Sequence, residues 1–185
     1  MQLWSAPRNY GVIPRLLHWL TVDLVILAWV LGTFGDELSR GSARSAGLFL
    51  HISAGLAVLA LLVFRLVWRV IDRPPPPETT RFGNWLECLG KLTHVMLYAL
   101  LAATPRCRRS AAIRKGDALP LFGIVEIASP WARDRVFAQS IRELHETLSN
   151  ILVILATFHA VAAMVHHFVW RDRTLERMLP LLALR

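Results

Sequence analysis

The sequence is poor in cysteine, and this limits the metal sites that it can build. Only Cys88 and Cys107 are present, and they lie far apart in the chain. The CxxC pair of zinc ribbons, iron–sulfur sites and redox dithiols is therefore missing, and so is the CxxCH motif of covalent c-type haem attachment. We expect any bound metal or cofactor to be held by other side chains.

Several long stretches contain few charged residues, and 55% of the 185 residues are hydrophobic. A run of about 20 apolar residues can cross a bilayer as a helix, and soluble domains rarely contain such runs. The sequence therefore predicts an all-α integral membrane protein. The first apolar run is too long for a signal peptide, so we expect it to be retained.

Four apolar stretches are long enough to be spans, and the connections between most of them are short. Such a pattern predicts a four-helix up-down bundle, formed as one transmembrane domain over residues 1–185. Proline suits a first helical turn, and Pro14 opens the first span. The predicted spans are approximately 14–35, 46–70, 85–104 and 147–170.

The segments between and after the spans carry their own signals. Four consecutive prolines, Pro74 to Pro77, predict an extended linker. Pro105 and the basic run RCRRSAAIRK predict an abrupt end of the third span, and 105–144 would be the longest connection. Within it, LPLFGIVEIASPW is a candidate re-entrant or interfacial piece. The tail RDRTLERMLPLLALR is predicted to lie as an amphipathic segment on the membrane surface.

The net charge is +8, from 21 basic and 13 acidic residues. A nucleic-acid-binding protein can show the same balance, but here the basic residues gather between apolar segments, as in membrane proteins. We therefore expect the lipid bilayer, and no nucleic acid, as a partner. Basic residues are about evenly divided between the two membrane sides, so charge does not determine the orientation.

Histidines inside the predicted spans are the main functional candidates, because ionisable residues are costly within a membrane. His145 opens the last span, and His159 lies 14 residues later. At about 100° per residue these two side chains lie within roughly 40° of one face, about 21 Å apart along the helix. Two stacked histidines require two partners from other helices.

The spans alternate in direction across the membrane, and this identifies the partner histidines. We define side A as the membrane side on which the first span begins, and side B as the other side. His51, near the start of the second span, and His145 both lie toward side B, whereas His18 and His159 both lie toward side A. Each pair joins two helices at matched depth.

Two stacked pairs of imidazoles match two bis-histidine haem sites in a helical bundle. Such ligation leaves no open iron position, which favours electron transfer. Zinc is the rival metal, but it prefers ligands clustered around one point. The simpler alternative is that each histidine only hydrogen-bonds across helices.

Other polar residues near these layers are candidates for secondary contacts. His94 is an alternative ligand, or it lines a haem edge or hydrogen-bonds a neighbouring helix, and Tyr98 shares its face. Arg65 and Arg69 are candidates for haem propionate contacts or for snorkelling to the interface. His166 is a candidate propionate or quinone contact, or an interfacial residue. No catalytic residue is assigned.

The chain contains, in order, the motifs LLHW, HISAGL, HVMLYAL, LHETLSN, FHAVAAMVHHFVWRD and LERMLP. Together they resemble the bacterial cytochrome b561 family, and in particular its superoxide oxidase branch. The resemblance covers nearly the whole chain. It implies an inner-membrane protein with two b haems, with His18, His51, His145 and His159 as ligands, and with cytoplasmic termini. It also implies electron exchange with the quinone pool, and in that branch oxidation of superoxide at the periplasmic face with reduction of ubiquinone.

The sequence departs from this pattern after Pro105, where similar proteins usually continue with an apolar Pro–Leu–x–Gly. The departure predicts a shortened third span. A superoxide oxidase would also need a positive rim at side B to attract its anionic donor; otherwise the loop cations are simply solvated. The candidate rim residues are Arg106, Arg108, Arg109, Arg133, Arg135 and Arg142.

Two other classes of function remain open at this point. The chain could be the haem b anchor and electron-transfer subunit of a dehydrogenase or hydrogenase, which requires a protein redox partner. Alternatively, it could be a non-redox helical scaffold or transporter whose histidines bind protons or metal. The sequence shows no internal repeat, which weakens the transporter alternative.

Overall fold

The computed structural model describes residues 2–6, 9–76, 84–115, 119–121, 125–127 and 135–179. Four long helices make up most of these residues and confirm the predicted all-α membrane bundle. Each contains a segment that is long and apolar enough to cross a membrane. The helices are α1 (Val12–Phe34), α2 (Ser42–Ile71), α3 (Asn84–Lys115) and α4 (Arg135–Phe168).

Helices that follow one another in the chain also pack together. α1 packs along α2, α3 packs along α4, and α2 contacts α3. The connection between α1 and α2 is a short 3₁₀ turn, Gly35–Glu37, followed by Gly41. Gly41 has a φ of 114°, a backbone conformation that glycine adopts without steric cost. This tight turn makes α1 and α2 antiparallel neighbours, as in an up-down bundle.

A cluster of buried hydrophobic side chains forms the core at mid-depth. Its members are Val58 and Leu62 on α2, Leu101 on α3 and Leu152 on α4. Leu152 lies midway along α4 between His145 and His159. The outer faces of the helices are also apolar, as expected for surfaces that contact lipid rather than water.

The third helix continues beyond the end of the predicted span. The apolar span ends at Pro105, but the helix continues through Pro105 to Lys115. Proline removes one backbone donor from the helix interior, and here this does not terminate it. The predicted end of the third span, near residue 104, coincides with the end of this apolar segment, and the basic run after it is helical. The run ends the apolar segment while the backbone remains helical.

The fourth helix begins earlier than predicted, at Arg135 instead of about residue 147. Its first turns are polar, and pairs one turn apart stabilise them. Gln139 donates to Glu143 at 3.0 Å, and Arg142 ion-pairs with Glu146 at 3.0 Å. The extensions of α3 and α4 shorten the predicted connection from both ends.

The remaining connection contains two short paired strands, which the sequence analysis did not predict. Strands β1 (Leu119–Leu121) and β2 (Val125–Ile127) pair antiparallel. They lie within the predicted re-entrant or interfacial piece. The predicted proline linker has no regular secondary structure through Pro76, and the rest of it lies outside the described residues.

Both ends of the described chain gather at side A. The Asp72 carboxylate, just after α2, accepts hydrogen bonds from the backbone N–H and hydroxyl of Ser5, the latter at 2.7 Å. Arg177 donates to the carbonyl of Pro76 at 2.7 Å, and the Trp19 indole N–H donates to the carbonyl of Met178 at 3.1 Å. The predicted surface tail therefore folds back on the helix ends through residue 179, as a series of turns.

Candidate functional site

The structure brings the predicted side-B histidines together. The ring centroids of His51 on α2 and His145 on α4 are 6.0 Å apart, and the ring planes are 81° apart. His145 is buried, and His51 is half-buried. We call these two residues the side-B layer.

Both rings of the side-B layer are oriented by backbone carbonyls on the other two helices. His51 Nδ1 lies 2.8 Å from the carbonyl oxygen of Ala28 on α1, and His145 Nδ1 lies 2.9 Å from that of Thr104 on α3. A carbonyl oxygen only accepts hydrogen bonds, so each Nδ1 carries the proton and donates. The lone pair of each neutral ring is then on Nε2, the nitrogen that would bind a metal.

The spacing of the side-B layer fits a bis-imidazole metal centre. With a metal–nitrogen bond of about 2 Å, two imidazoles on opposite sides of one metal have centroids roughly 6 Å apart. The observed separation of 6.0 Å agrees with this value. Within the described part of the chain, no group of three or more His, Cys, Asp or Glu residues is arranged to hold a metal ion.

Three histidines form a second layer toward side A: His18 on α1, His94 on α3 and His159 on α4. His18 and His159 are close enough to interact electrostatically. However, the ring that contacts His159 is that of His94, with centroids 5.1 Å apart and planes 75° apart. His18 thus lies near His159, and His94 is the ring in contact with His159. We call the three residues the side-A layer.

Among the described residues, the hydrogen-bond partner of His94 is on its own helix and not on a neighbouring one, which was one of its predicted roles. Its Nδ1 lies 2.8 Å from the carbonyl oxygen of Gly90, one turn earlier on α3. The ring instead packs edge-on against His159. His94 is therefore adjacent to a predicted ligand, and its own ligation stays an alternative prediction.

Arg65 and Arg69 lie on the same helix, one turn apart, but in different surroundings. The guanidinium of Arg65 lies 3.3 Å from Nδ1 of His18 and 5.4 Å from the ring centroid of Tyr98. Arg69 is exposed, and its charge acts on Tyr10 and His94. Of the two, Arg65 contacts the side-A layer directly.

His166, a candidate quinone or propionate contact, is held by an acid beyond the end of α4. Its Nδ1 hydrogen-bonds the carboxylate of Asp172. Burial favours a higher pKa for Asp172, but hydrogen bonds from Thr174 and His166 outweigh it, so that the pKa is lowered. His167 has a similar, longer contact of 3.9 Å with Glu176. These pairs organise the side-A rim.

Tyr10, which the sequence analysis did not single out, also lies at this rim. Burial raises the pKa of its phenol, and the nearby charges of Arg69 and Arg177 oppose the increase. Because the net effect is upward, the phenol stays protonated at neutral pH and is able to donate a hydrogen bond.

The predicted cationic rim at side B is described only in part. Arg142 ion-pairs with Glu146, so part of its charge is neutralised. The side chains of the other candidate arginines in this rim lie outside the described residues. The attraction of an anionic donor by this rim stays a prediction.

Sequence reasoning missed the groups that orient the side-B histidines. The carbonyls of Ala28 and Thr104 give no sequence signal, because every residue has a carbonyl. Gly32 offers a weak signal, since a small residue in a span marks a close approach of helices. A Cβ atom there would lie 2.9 Å from Cε1 of His51.

Comparison with known proteins shows relatives along the whole chain. Residues 9–181 match the family described as Prokaryotic cytochrome b561. "Cytochrome b561 homolog 2" of Escherichia coli (strain K12) is 32% identical, over 97% of this chain and 95% of that protein. "Probable superoxide oxidase CybB" of Yersinia pestis is 29% identical, over 94% and 97%. "Cytochrome b562" of Cereibacter sphaeroides is 27% identical, over 92% and 95%.

Proposed function

Because this chain belongs to the prokaryotic cytochrome b561 family, we propose that it is a di-haem b cytochrome that passes electrons across the bacterial inner membrane to the quinone pool. Membership in the family and the four apolar helices make it a multi-pass membrane electron-transfer protein, and the family implies haem b. We propose in addition the number of haems, their ligands, the electron donor and the electron acceptor.

The observation that carries the proposal is the geometry of the side-B layer. His51 and His145 come from different helices, stand 6.0 Å apart and use Nδ1 for backbone carbonyls. Hydrogen bonding of the second nitrogen orients a metal-binding imidazole and raises its basicity. These two residues would hold one haem through Nε2.

The second haem would be held by His18 and His159 in the side-A layer. A separation of 14 residues along α4 puts the layers about 21 Å apart along the helix axis. The apolar core between them contains no charged side chain among its described members. Haem held there would supply reversible one-electron chemistry.

The specific reaction that we propose is superoxide:ubiquinone oxidoreduction. Two superoxide anions are oxidised to two O₂ at side B, and their two electrons, with two protons, reduce ubiquinone to ubiquinol. Likeness to a relative named as a probable superoxide oxidase supports this reaction. Side B is then periplasmic and the chain termini are cytoplasmic.

Quinone contacts are proposed from residues near the side-A layer and at its rim. His94 and Tyr98 lie on one face of α3, next to His159 and Arg65 respectively. His166, at the rim, is paired with Asp172 and is the candidate nearest to the aqueous phase at side A. Reduction of the quinone consumes protons, so a contact residue that exchanges protons with that side suits this reaction.

The first test is haem stoichiometry in the detergent-purified full-length protein, by pyridine haemochrome quantitation with oxidised and dithionite-reduced spectra. We expect two b haems per chain with low-spin spectra. His51→Ala and His145→Ala should each remove one haem, and His18→Ala and His159→Ala should remove the other. His94→Ala is the matched control and should keep both.

Loss of a haem in the His94 variant with retention in the His18 variant would show that His94 is the ligand. A colourless wild-type protein made with ample haem supply would refute the cytochrome proposal. With two haems established, superoxide and ubiquinone are added and ubiquinol is measured. Failure to form ubiquinol, together with co-purification of a dehydrogenase or hydrogenase subunit, would indicate the anchor-subunit function instead.

A further inference from the structure

The first helix carries an acid inside its membrane-spanning segment. Asp23 lies at the midpoint of α1, 11 residues from Val12 and 11 from Phe34. At 1.5 Å per residue this is about 16 Å from either end of the helix. The hydrocarbon core of a bilayer is about 30 Å thick, so the carboxyl group lies near its centre. Only long side chains such as Lys and Arg reach the headgroups from inside a span, and Asp is short.

Asp23 also faces away from the rest of the bundle. Thr21 is buried, and Val25 packs against the apolar core. At about 100° per residue, Asp23 lies roughly 160° around the helix from each of them, and it is exposed. No hydrogen bond or ion pair joins it to another residue of the described chain. Its carboxyl group is therefore on the lipid side of α1.

A carboxyl group at this depth requires a partner from another polypeptide. Lipid tails form no hydrogen bonds, and an unsatisfied polar group is costly in hydrocarbon. Ionisable residues within spans accordingly pair with one another or with other polar groups. The exposed position of Asp23 thus marks the outer face of α1 as a contact surface for a second helix.

The outer face of α1 has the spacing of a helix–helix interface. Asp23 is the third of six residues that follow one another at alternating intervals of four and three positions, as the a and d positions of a left-handed coiled coil do. The other five are apolar and between 39% and 64% exposed. Membrane helices commonly pack in this geometry. We call these residues the outer stripe of α1: Leu16, Leu20, Asp23, Leu27, Val30 and Phe34.

We propose that the outer stripe is a dimer interface, on which a second copy of this chain packs in parallel so that the two Asp23 carboxyl groups hydrogen-bond each other. A protonated carboxyl group donates a hydrogen bond and any carboxyl group accepts one, so Asp23 is complementary to itself. A single polar residue at an a or d position also fixes the register of two helices.

Membrane insertion favours a second copy over other partners. Copies of one chain insert in the same orientation, because the sequence determines the orientation. A two-fold axis along the membrane normal then brings both Asp23 residues to one depth. A different protein would need its own polar side chain at that depth, whereas a second copy always carries one.

The dimer goes beyond the proposed function and does not depend on it. The outer stripe contributes no residue to either histidine layer, and its side chains point away from the core. Disruption of the interface should therefore leave the haem content unchanged. Conversely, a protein without haem would refute the cytochrome proposal and leave the dimer to be tested separately.

The first test is cysteine cross-linking in native membranes, in a background carrying Cys88→Ser and Cys107→Ser. Leu20→Cys and Leu27→Cys lie on the outer stripe. Val63→Cys is the matched control, because Val63 is an exposed apolar residue on α2. Mild oxidation should link the two stripe variants into dimers and should leave Val63→Cys monomeric.

The second test measures dimerisation by energy transfer between donor-labelled and acceptor-labelled copies in liposomes, as lipid is added. Asp23→Leu should raise the dissociation constant about tenfold, as expected for loss of an interhelical hydrogen bond in a membrane. Asp23→Asn keeps a donor and an acceptor and should retain most of the affinity. Glu146→Gln removes an exposed acid of α4 and should leave the affinity unchanged.

Three results would overturn the dimer interface. One is equal cross-linking of Val63→Cys and Leu27→Cys, which indicates random collision. Another is a wild type that stays monomeric at the highest protein density, or an Asp23→Leu variant that dimerises as tightly as the wild type. The third is cross-linking of Leu27→Cys only to a different protein, which would assign the outer stripe to that partner. Haem content, measured on the same samples, keeps these failures distinct from failure of the cytochrome proposal.

Discussion

At the scale of single residues, the orientation of His51 depends on two neighbours in α1. The carbonyl of Ala28 accepts from its Nδ1 at 2.8 Å, and Gly32 lies one turn further along α1, against the ring. Because a Cβ atom on Gly32 would come within 2.9 Å of Cε1 of His51, only glycine at this position leaves the ring where it is.

We predict that Gly32→Ala displaces His51 and weakens haem retention in the side-B layer. Overpacking of this kind costs about 1–3 kcal/mol. The haem content should fall from two toward one per chain, measured by pyridine haemochrome assay, and the thermal unfolding temperature should fall as well.

The control for this prediction is Gly35→Ala, at the end of the same helix. A Cβ atom on Gly35 meets no atom within 4 Å, and its φ of −63° is accessible to any residue. Full haem content in Gly32→Ala, equal to that of Gly35→Ala, would show that the close approach to His51 is not important.

At the scale of elements, the end of α4 depends on side chains as well as on the helix backbone. After Phe168 the chain turns, and Arg171 has a φ of 55°, which is costly for a residue with a Cβ atom. Asp172 stabilises this turn. Its N–H donates to the carbonyl of His166 at 3.1 Å, and its carboxylate accepts from the N–H of Thr174 at 2.9 Å.

This arrangement predicts a pH-dependent stability. The pKa of Asp172 is lowered from its ordinary value of 3.8, so the folded state prefers the ionised form. The stabilisation is complete above that value and is lost as the pH falls through the lower pKa of the folded state. Asp172→Asn should therefore be less stable than the wild type at pH 7, and the difference should shrink in strong acid.

The measurement is thermal unfolding in detergent at several pH values, for the wild type, Asp172→Asn and the control Glu146→Gln. Glu146 forms an exposed pair with Arg142, and such pairs contribute little to stability. A constant difference between wild type and Asp172→Asn across the acid range would contradict the assigned role of the carboxylate.

At the scale of the whole molecule, the bundle has two ends of different construction. Side A gathers the N-terminal segment, the end of α2 and the turns after α4 through Asp72, Arg177 and Trp19. Side B carries the turn between α1 and α2 and the polar first turns of α4. The proposed direction of electron flow requires side A to face the cytoplasm.

We predict that a cysteine at Ser39 is accessible from the periplasm and that one at Arg73 is not. Both positions are exposed, in the side-B turn and after α2 respectively. In a background carrying Cys88→Ser and Cys107→Ser, a membrane-impermeant maleimide should label Ser39→Cys in spheroplasts. It should label Arg73→Cys only after permeabilisation, and the reverse pattern would invert the proposed orientation.

Much of the architecture could be predicted because depth in a helical membrane protein follows from counting residues. Each residue advances a helix by about 1.5 Å, so the positions of His51, His145, His18 and His159 along their spans placed them in two layers before any contact was known. Helix ends were predicted less well. Apolar length marks where the bilayer ends, whereas backbone hydrogen bonding continues α3 past Pro105 and starts α4 at Arg135.

Lateral contacts were decided by the tertiary structure alone. Residue counting does not specify how each helix is rotated about its axis or how closely it packs, so it could not show that His94 is the ring in contact with His159. It also could not show that carbonyls face Nδ1 of His51 and of His145, whereas Arg65 faces Nδ1 of His18. The sequence alone thus determined the fold class and the two layers of histidines, and the packing decided which polar group faces each ring.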